Sequence, residues 1–166
     1  MIVIQPEIAA PFLALPTVAP EVFRSNGPGR RFCMLRDTDL SVEAERLLRH
    51  YLRGLGVRAM APEPIFGCFL GVNEAGAAVH EHRDPAPEGF WHTRINFMLQ
   101  RPDAGGMPIM DGIIYDIDEG CGWICFASRC FHSTTPVEGA RSRIVLSLGA
   151  LLPDHEARTL QQKVSS

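Results

Sequence analysis

Between Pro64 and Pro153 the chain runs through short apolar or alternating stretches cut by turn residues, with no helix-length period between them. No other feature narrows the fold as much. His92–Gln100 is the clearest stretch: His92, Arg94, Asn96 and Met98 fall on one face of an extended strand, and Thr93, Ile95, Phe97 and Leu99 on the other. Ile65–Val72, Ile109–Ile117, Trp123–Ala127 and Ile144–Leu152 read as further strands. Asn73-Glu74-Ala75-Gly76 and Asp103-Ala104-Gly105-Gly106 read as turns. About seven or eight short strands without strand–helix alternation argue against a parallel α/β sheet and predict a mainly β sandwich or jelly roll.

One amphipathic helix precedes this region. Ala44, Leu47, Leu48, Tyr51, Leu52 and Leu55 recur at helical spacing, Ser41 can cap the start, Glu43 and Glu45 complement its positive end, and Gly56 can stop it. The spacing predicts a support helix over 41–56 packed on the outside of a sheet. Residues 1–40, rich in Pro and Gly, read as edge strands (Ile2–Ile4, Arg31–Leu35) and covering loops. A single domain over 1–166, with its core at 64–153, is the expected organisation. At 166 residues and 46% apolar content the chain can bury one such core.

A net charge of −3 and the absence of any Lys/Arg run argue against nucleic acid as a general partner. The apolar N-terminus carries Glu7, lacks a basic leader and is cut by Pro6, Pro11 and Pro16, so a signal sequence is not expected. No stretch approaches the roughly 18 uninterrupted apolar residues of a membrane helix. The five cysteines, odd in number and without secretory context, read as reduced thiols in a cytoplasmic protein.

His82-Arg83-Asp84, a later His132, and Arg143 at the head of an apolar run carry the chemistry. Side chains two apart in an extended segment project to one side, so His82 and Asp84 can face a single ion, with His132 arriving from a distant strand. Two imidazoles and one carboxylate are the set that holds non-haem Fe(II) on one face and leaves positions open for a co-substrate and O2. An arginine fork suits the far carboxylate of a dicarboxylate such as 2-oxoglutarate, and Arg141 and Arg143 both offer one. Cys121, Cys125, Cys130 and His132 could be drawn as a zinc site instead. Cys121, Trp123 and Cys125 alternate along a strand, however, which keeps side chains in line rather than converging, and free thiols are the preferred account.

Taken together, Val79-His80-Glu81-His82-Arg83-Asp84, Phe131-His132-Ser133-Thr134-Thr135-Pro136-Val137-Glu138-Gly139 and Arg143-Ile144-Val145-Leu146-Ser147-Leu148 resemble the core of the Fe(II)/2-oxoglutarate-dependent oxygenases, in particular their prolyl-hydroxylase-like branch. The likeness spans about residues 65–153. It implies a double-stranded β-helix, Fe(II) held by His82, Asp84 and His132, and 2-oxoglutarate held by Arg143, which precedes its apolar run as the family arginine does. His80 would need a His-x-His donation foreign to the family, so His82 is the expected ligand. The family often has Ser or Thr where Val145 stands, which leaves part of the co-substrate carboxylate without an assigned donor. Arg94 falls where relatives place a co-substrate-contacting Thr; with Asn96 beside it, it is expected to bind either 2-oxoglutarate or an acidic group of the substrate.

The resemblance implies hydroxylation of a C–H bond in a small metabolite or amino-acid-like substrate, with release of succinate and CO2. Asp84 argues against halogenation, since halogenating relatives lack that carboxylate. A homodimer is left open. The rival readings are a non-catalytic β-barrel binding module and a cupin-like metalloenzyme that does not use 2-oxoglutarate.

Overall fold

The structure, a computed structural model, describes residues 2–164. In chain order its elements begin β1 (Ile2–Val3), α1 (Pro6–Val18), β2 (Arg24–Ser25), β3 (Arg30–Met34), α2 (Ser41–Gly54), β4 (Ala61–Pro62) and β5 (Cys68–Asn73). There follow β6 (Phe90–Gln100), β7 (Ala104–Gly105), β8 (Pro108–Met110), β9 (Ile113–Ile114) and β10 (Cys121–Cys125). The last four are β11 (His132–Thr134), β12 (Val137–Glu138), β13 (Arg143–Pro153) and α3 (Asp154–Val164).

The main antiparallel sheet runs β1-β10-β6-β13-β5-β3-β2, with β4 added against β13. A three-stranded sheet, β11-β8-β9, and a two-stranded one, β12-β7, complete the β structure. His82 joins β11 through a two-bond bridge to His132. The chain is mainly β, as the strand and turn pattern predicts, and its architecture is the double-stranded β-helix that the resemblance implies.

The alternation in β6 sorts the two faces of the main sheet. Ile95, Phe97 and Leu99, with Leu146 and Leu148 of β13, bury against Phe12 and Leu15 of α1, Leu47, Leu48 and Leu52 of α2, and Leu160 of α3. The opposite face carries His92, Arg94 and Asn96 of β6 and Arg143 and Ser147 of β13, all buried. Met98, Met107 and Val145 make a small apolar cluster on that side. One face is therefore a scaffold and the other the wall of a cavity.

Three local expectations are corrected. Residues 6–18 are a helix rather than loop: Pro6 sits in the first turn, where no N–H is needed, and burial of Ala9, Phe12 and Leu15 outweighs the disruption from Pro11 and Pro16. Ile109–Ile117 is not one strand but the hairpin β8–β9, reversed at Asp111-Gly112, where both residues have positive φ (48° and 79°). Asp-Gly is the dipeptide such two-residue turns favour, so the signal was present. Ser41 is the first residue of α2 and gives no side-chain cap; Thr38 Oγ1 accepts from the Leu40 N–H just before it. Gly56, at φ 88°, follows the helix end as expected.

Candidate metal and co-substrate site

His82 and His132 exchange backbone hydrogen bonds, N to O at 3.1 and 2.9 Å, which brings their rings together, centroids 4.2 Å apart and planes tilted by 51°. Asp84 is fixed two residues on by its N–H to Ala127 O, at 2.9 Å. One donor atom from each of His82, Asp84 and His132 lies within 4.8 Å of the others. His82 Nδ1 contacts His80 O at 2.7 Å and His132 Nδ1 contacts Cys130 O at 3.3 Å. A carbonyl only accepts, so each Nδ1 carries the proton and each Nε2 keeps its lone pair, the tautomer a metal ligand needs.

His82 Nε2 then faces Asp84 Oδ1 at 3.5 Å, two electron-rich atoms with space for a cation between them. Without one, a proton serves: the hydrogen bond to Asp84 raises the His82 imidazole above its ordinary value. Burial pushes the Asp84 carboxyl up, but the hydrogen bond from His82 and the charge of Arg94 outweigh it and hold Asp84 at about 2. The donor set therefore fits Fe(II). The His80 side chain is exposed, and only its carbonyl takes part.

Behind Asp84 lies a buried network that the sequence did not announce. Asp84 Oδ2 meets His92 Nδ1 at 3.3 Å and Arg94 Nε at 3.5 Å. Arg94 also donates to Gly67 O and Ser147 Oγ, both at 3.2 Å, and pairs with Glu63 at 3.3 Å. Gly149 makes room for it, since a Cβ there would stand 2.9 Å from the guanidinium. Glu63 in turn accepts from the N–H groups of Ile65, Phe66 and Gly67 at 2.7–2.8 Å. That turn delays the strand expected from Ile65 until Cys68. Burial and then Arg94 push His92 down to about 4, so it is neutral beside Asp84. Arg94 thus pairs with two carboxylates of its own chain, Glu63 and Asp84, while lining the cavity.

Arg143 is the contrasting case. It is 6% exposed, and among the described residues it has no ion pair and no hydrogen bond. Its one side-chain partner is the face of Trp123, at 5.9 Å, and burial pushes its guanidinium down to about 10. It lines the same cavity, of about 200 Å³, as His82, Asp84, His132, Arg94 and Asn96. Directly opposite Arg143 on β5 stands Asn73, also buried, whose Nδ2 has no partner. Asn73 was missed because it reads from sequence as the first residue of a turn, whereas it ends β5, and only the strand register reveals what it faces. Arg141 is not brought to the site. It precedes β13, lies 45% exposed, and binds Glu119 and Arg101 O at 2.8 Å each.

The five cysteines are free thiols, as expected. Cys121 stays out of any donor cluster among the described residues, but Cys125 and Cys130 do converge, their Sγ atoms 3.6 Å apart and close to His132. Their mutual hydrogen bond lowers the Cys130 thiol and raises that of Cys125.

No protein-family model matches the chain, and no curated protein does. Solved structures do. A prolyl-4-hydroxylase from Pseudomonas putida aligns over 90% of this chain and 88% of its own, with TM-score 0.58 and 18% identity. An oxidoreductase of the 2OG-Fe(II) oxygenase family from Burkholderia pseudomallei aligns over 87% and 77%, with TM-score 0.63 and 14% identity. A Trichoplax adhaerens prolyl hydroxylase, solved with a peptide fragment of a hypoxia inducible factor, aligns over 90% and 80%, with TM-score 0.60 and 16% identity. At such identities the likeness is one of fold.

Proposed function

We propose that this chain is an Fe(II)- and 2-oxoglutarate-dependent dioxygenase that hydroxylates a C–H bond of a small metabolite or amino-acid-like substrate. The single observation that carries the proposal is Arg143: a buried guanidinium with no carboxylate of its own, in the same cavity as two imidazoles and a carboxylate. A buried charge costs several kcal/mol unless it is paired, so the site asks for an anion from outside. 2-Oxoglutarate offers one, and its keto acid end suits the metal position that lines the same cavity. Fe(II) and 2-oxoglutarate, when bound, supply the O2 chemistry that yields hydroxylated product, succinate and CO2.

The chain's own residues do the rest. His82 Nε2, Asp84 and His132 Nε2 hold the metal, with each imidazole oriented by a carbonyl behind it. His92 and Arg94 fix the second Asp84 oxygen and so the direction in which the first points. Arg143 takes the far carboxylate of the co-substrate. Asn73 supplies the donor that Val145 cannot. Trp123 and Val145, with Met98 packed behind Val145, form the apolar side of the pocket and limit water there.

Anaerobic addition of Fe(II) and 2-oxoglutarate to the protein tests this reading. A weak visible charge-transfer band is expected in wild type and is expected to vanish in His82→Ala and Asp84→Ala. A wild type without the band, or variants that keep it unchanged, would sink the proposal. Both would also turn attention to a binding module or to a metalloenzyme that does not use 2-oxoglutarate. Succinate release with a panel of amino acids and small metabolites then addresses the substrate.

A further inference from the structure

Cys125 ends β10, and the chain turns back at once. The N–H groups of Arg129 and Cys130 both reach Phe126 O, at 2.7 and 3.0 Å, so that Cys130 returns to face Cys125 just before β11 begins. The result is a Cys-x4-Cys-x-His grouping in which both Sγ atoms and a ring nitrogen of His132 lie within 4.8 Å of one another. The Sγ–Sγ separation of 3.6 Å is far beyond a disulfide. It matches the edge of a tetrahedron around Zn(II), about 3.8 Å for Zn–S bonds near 2.3 Å. Cys125 is buried and lines the cavity, while Cys130 is half-buried.

We infer that Cys125, Cys130 and His132 form an alternative metal site of thiolate type, suited to Zn(II), which competes with His82 and Asp84 for His132 and leaves a fourth position for water. Soft thiolates and an imidazole favour such an ion over the harder one that a carboxylate and two imidazoles would hold. The inference does not depend on iron or 2-oxoglutarate. It touches the proposed function at one point, because His132 belongs to both sets. With Nδ1 committed to Cys130 O, the ring has one lone pair to give, so an ion in the thiolate site withdraws a ligand from the other.

Co(II), an optical stand-in for Zn(II), provides the test. Metal-free full-length protein is titrated with Co(II) under anaerobic conditions and without 2-oxoglutarate. The expected result is a sulfur-to-cobalt charge-transfer band in the near ultraviolet that saturates at one equivalent and is bleached by Zn(II). Cys130→Ser, at a half-buried position, and Cys125→Ser should each lose it, with a circular dichroism spectrum confirming the fold. Asp84→Ala and His82→Ala should keep it. Absence of the band in wild type, its survival in both serine variants, or its loss in Asp84→Ala would each overturn the assignment. A cobalt band in a protein that shows no Fe(II)–2-oxoglutarate band would leave this site standing and the dioxygenase reading fallen, and the converse result would separate them the other way.

Discussion

Arg94 and Arg143 lie on neighbouring strands of one sheet, face one cavity and are almost equally buried, yet their surroundings are opposite. Arg94 has Glu63, Asp84, Ser147 and a backbone carbonyl within reach. Arg143 has an indole face and nothing charged among the described residues. A guanidinium neutralised by its own chain is architecture, because removing it strands the carboxylates it holds. One left without a counter-charge suits the receptor role proposed for Arg143, because its desolvation is repaid only when an anion arrives. The cavity thus has a self-sufficient end behind Asp84 and an incomplete end around Arg143.

The sharpest way to break this contrast is to replace both arginines by methionine. Arg94→Met leaves Glu63 and Asp84 buried without their cation and should lower the unfolding free energy of the metal-free protein by about 3–5 kcal/mol, read from urea denaturation. Arg143→Met should not lower it, since it removes an unpaired buried charge. It should instead weaken 2-oxoglutarate binding by about 2–5 kcal/mol, about 30-fold or more in Kd, measured by titrating the charge-transfer band. Equal loss of stability in the two variants would erase the distinction.

Glu63 sharpens the self-sufficient end through pH. Burial pushes its carboxyl up, but the N–H groups of Ile65, Phe66 and Gly67 outweigh burial and hold it below the ordinary carboxylate range. A group with a depressed folded value contributes stability above its unfolded value and loses that contribution as pH falls through the folded one. Wild type should therefore lose stability on acidification below the ordinary carboxylate range. Glu63→Gln should start about 1–3 kcal/mol less stable at neutral pH and fall less steeply. Parallel acid profiles for the two proteins would show that Glu63 does not hold this end together.

The two ends were unequally legible in the sequence. The period-two alternation of β6 put Arg94, Asn96 and Met98 on one face before any coordinates, because side-chain direction in a strand follows from parity alone. Arg143 stood out through its place at the head of an apolar run. What parity does not carry is register: nothing in the spacing says that Asn73 lies across from Arg143, or that Glu63, between two prolines, folds back onto Arg94. The same limit explains Arg94, whose face was foreseen and whose partners were not. Helix α1 escaped for another reason, since its prolines argue locally against a helix that the buried Phe12 and Leu15 stabilise through tertiary contact.

Asn73 offers the finest division of the incomplete end. Its side chain is buried, its Nδ2 is unpartnered, its strand position is directly opposite Arg143, and both residues line the same cavity, which is why the amide is proposed to share the anion with the guanidinium. In Asn73→Ala the fold keeps every hydrogen bond it now has, because the lost donor had none to give. Only the complex should suffer, by about 1 kcal/mol for a single hydrogen bond, or about five-fold in the Kd for 2-oxoglutarate. The control is a 2-oxo monocarboxylate, which reaches the metal position but has no far carboxylate. Its affinity should not change in Asn73→Ala or in Arg143→Met. If the alanine variant weakened both acids alike, Asn73 would act on the shape of the pocket, and Arg143 would hold the far carboxylate without it.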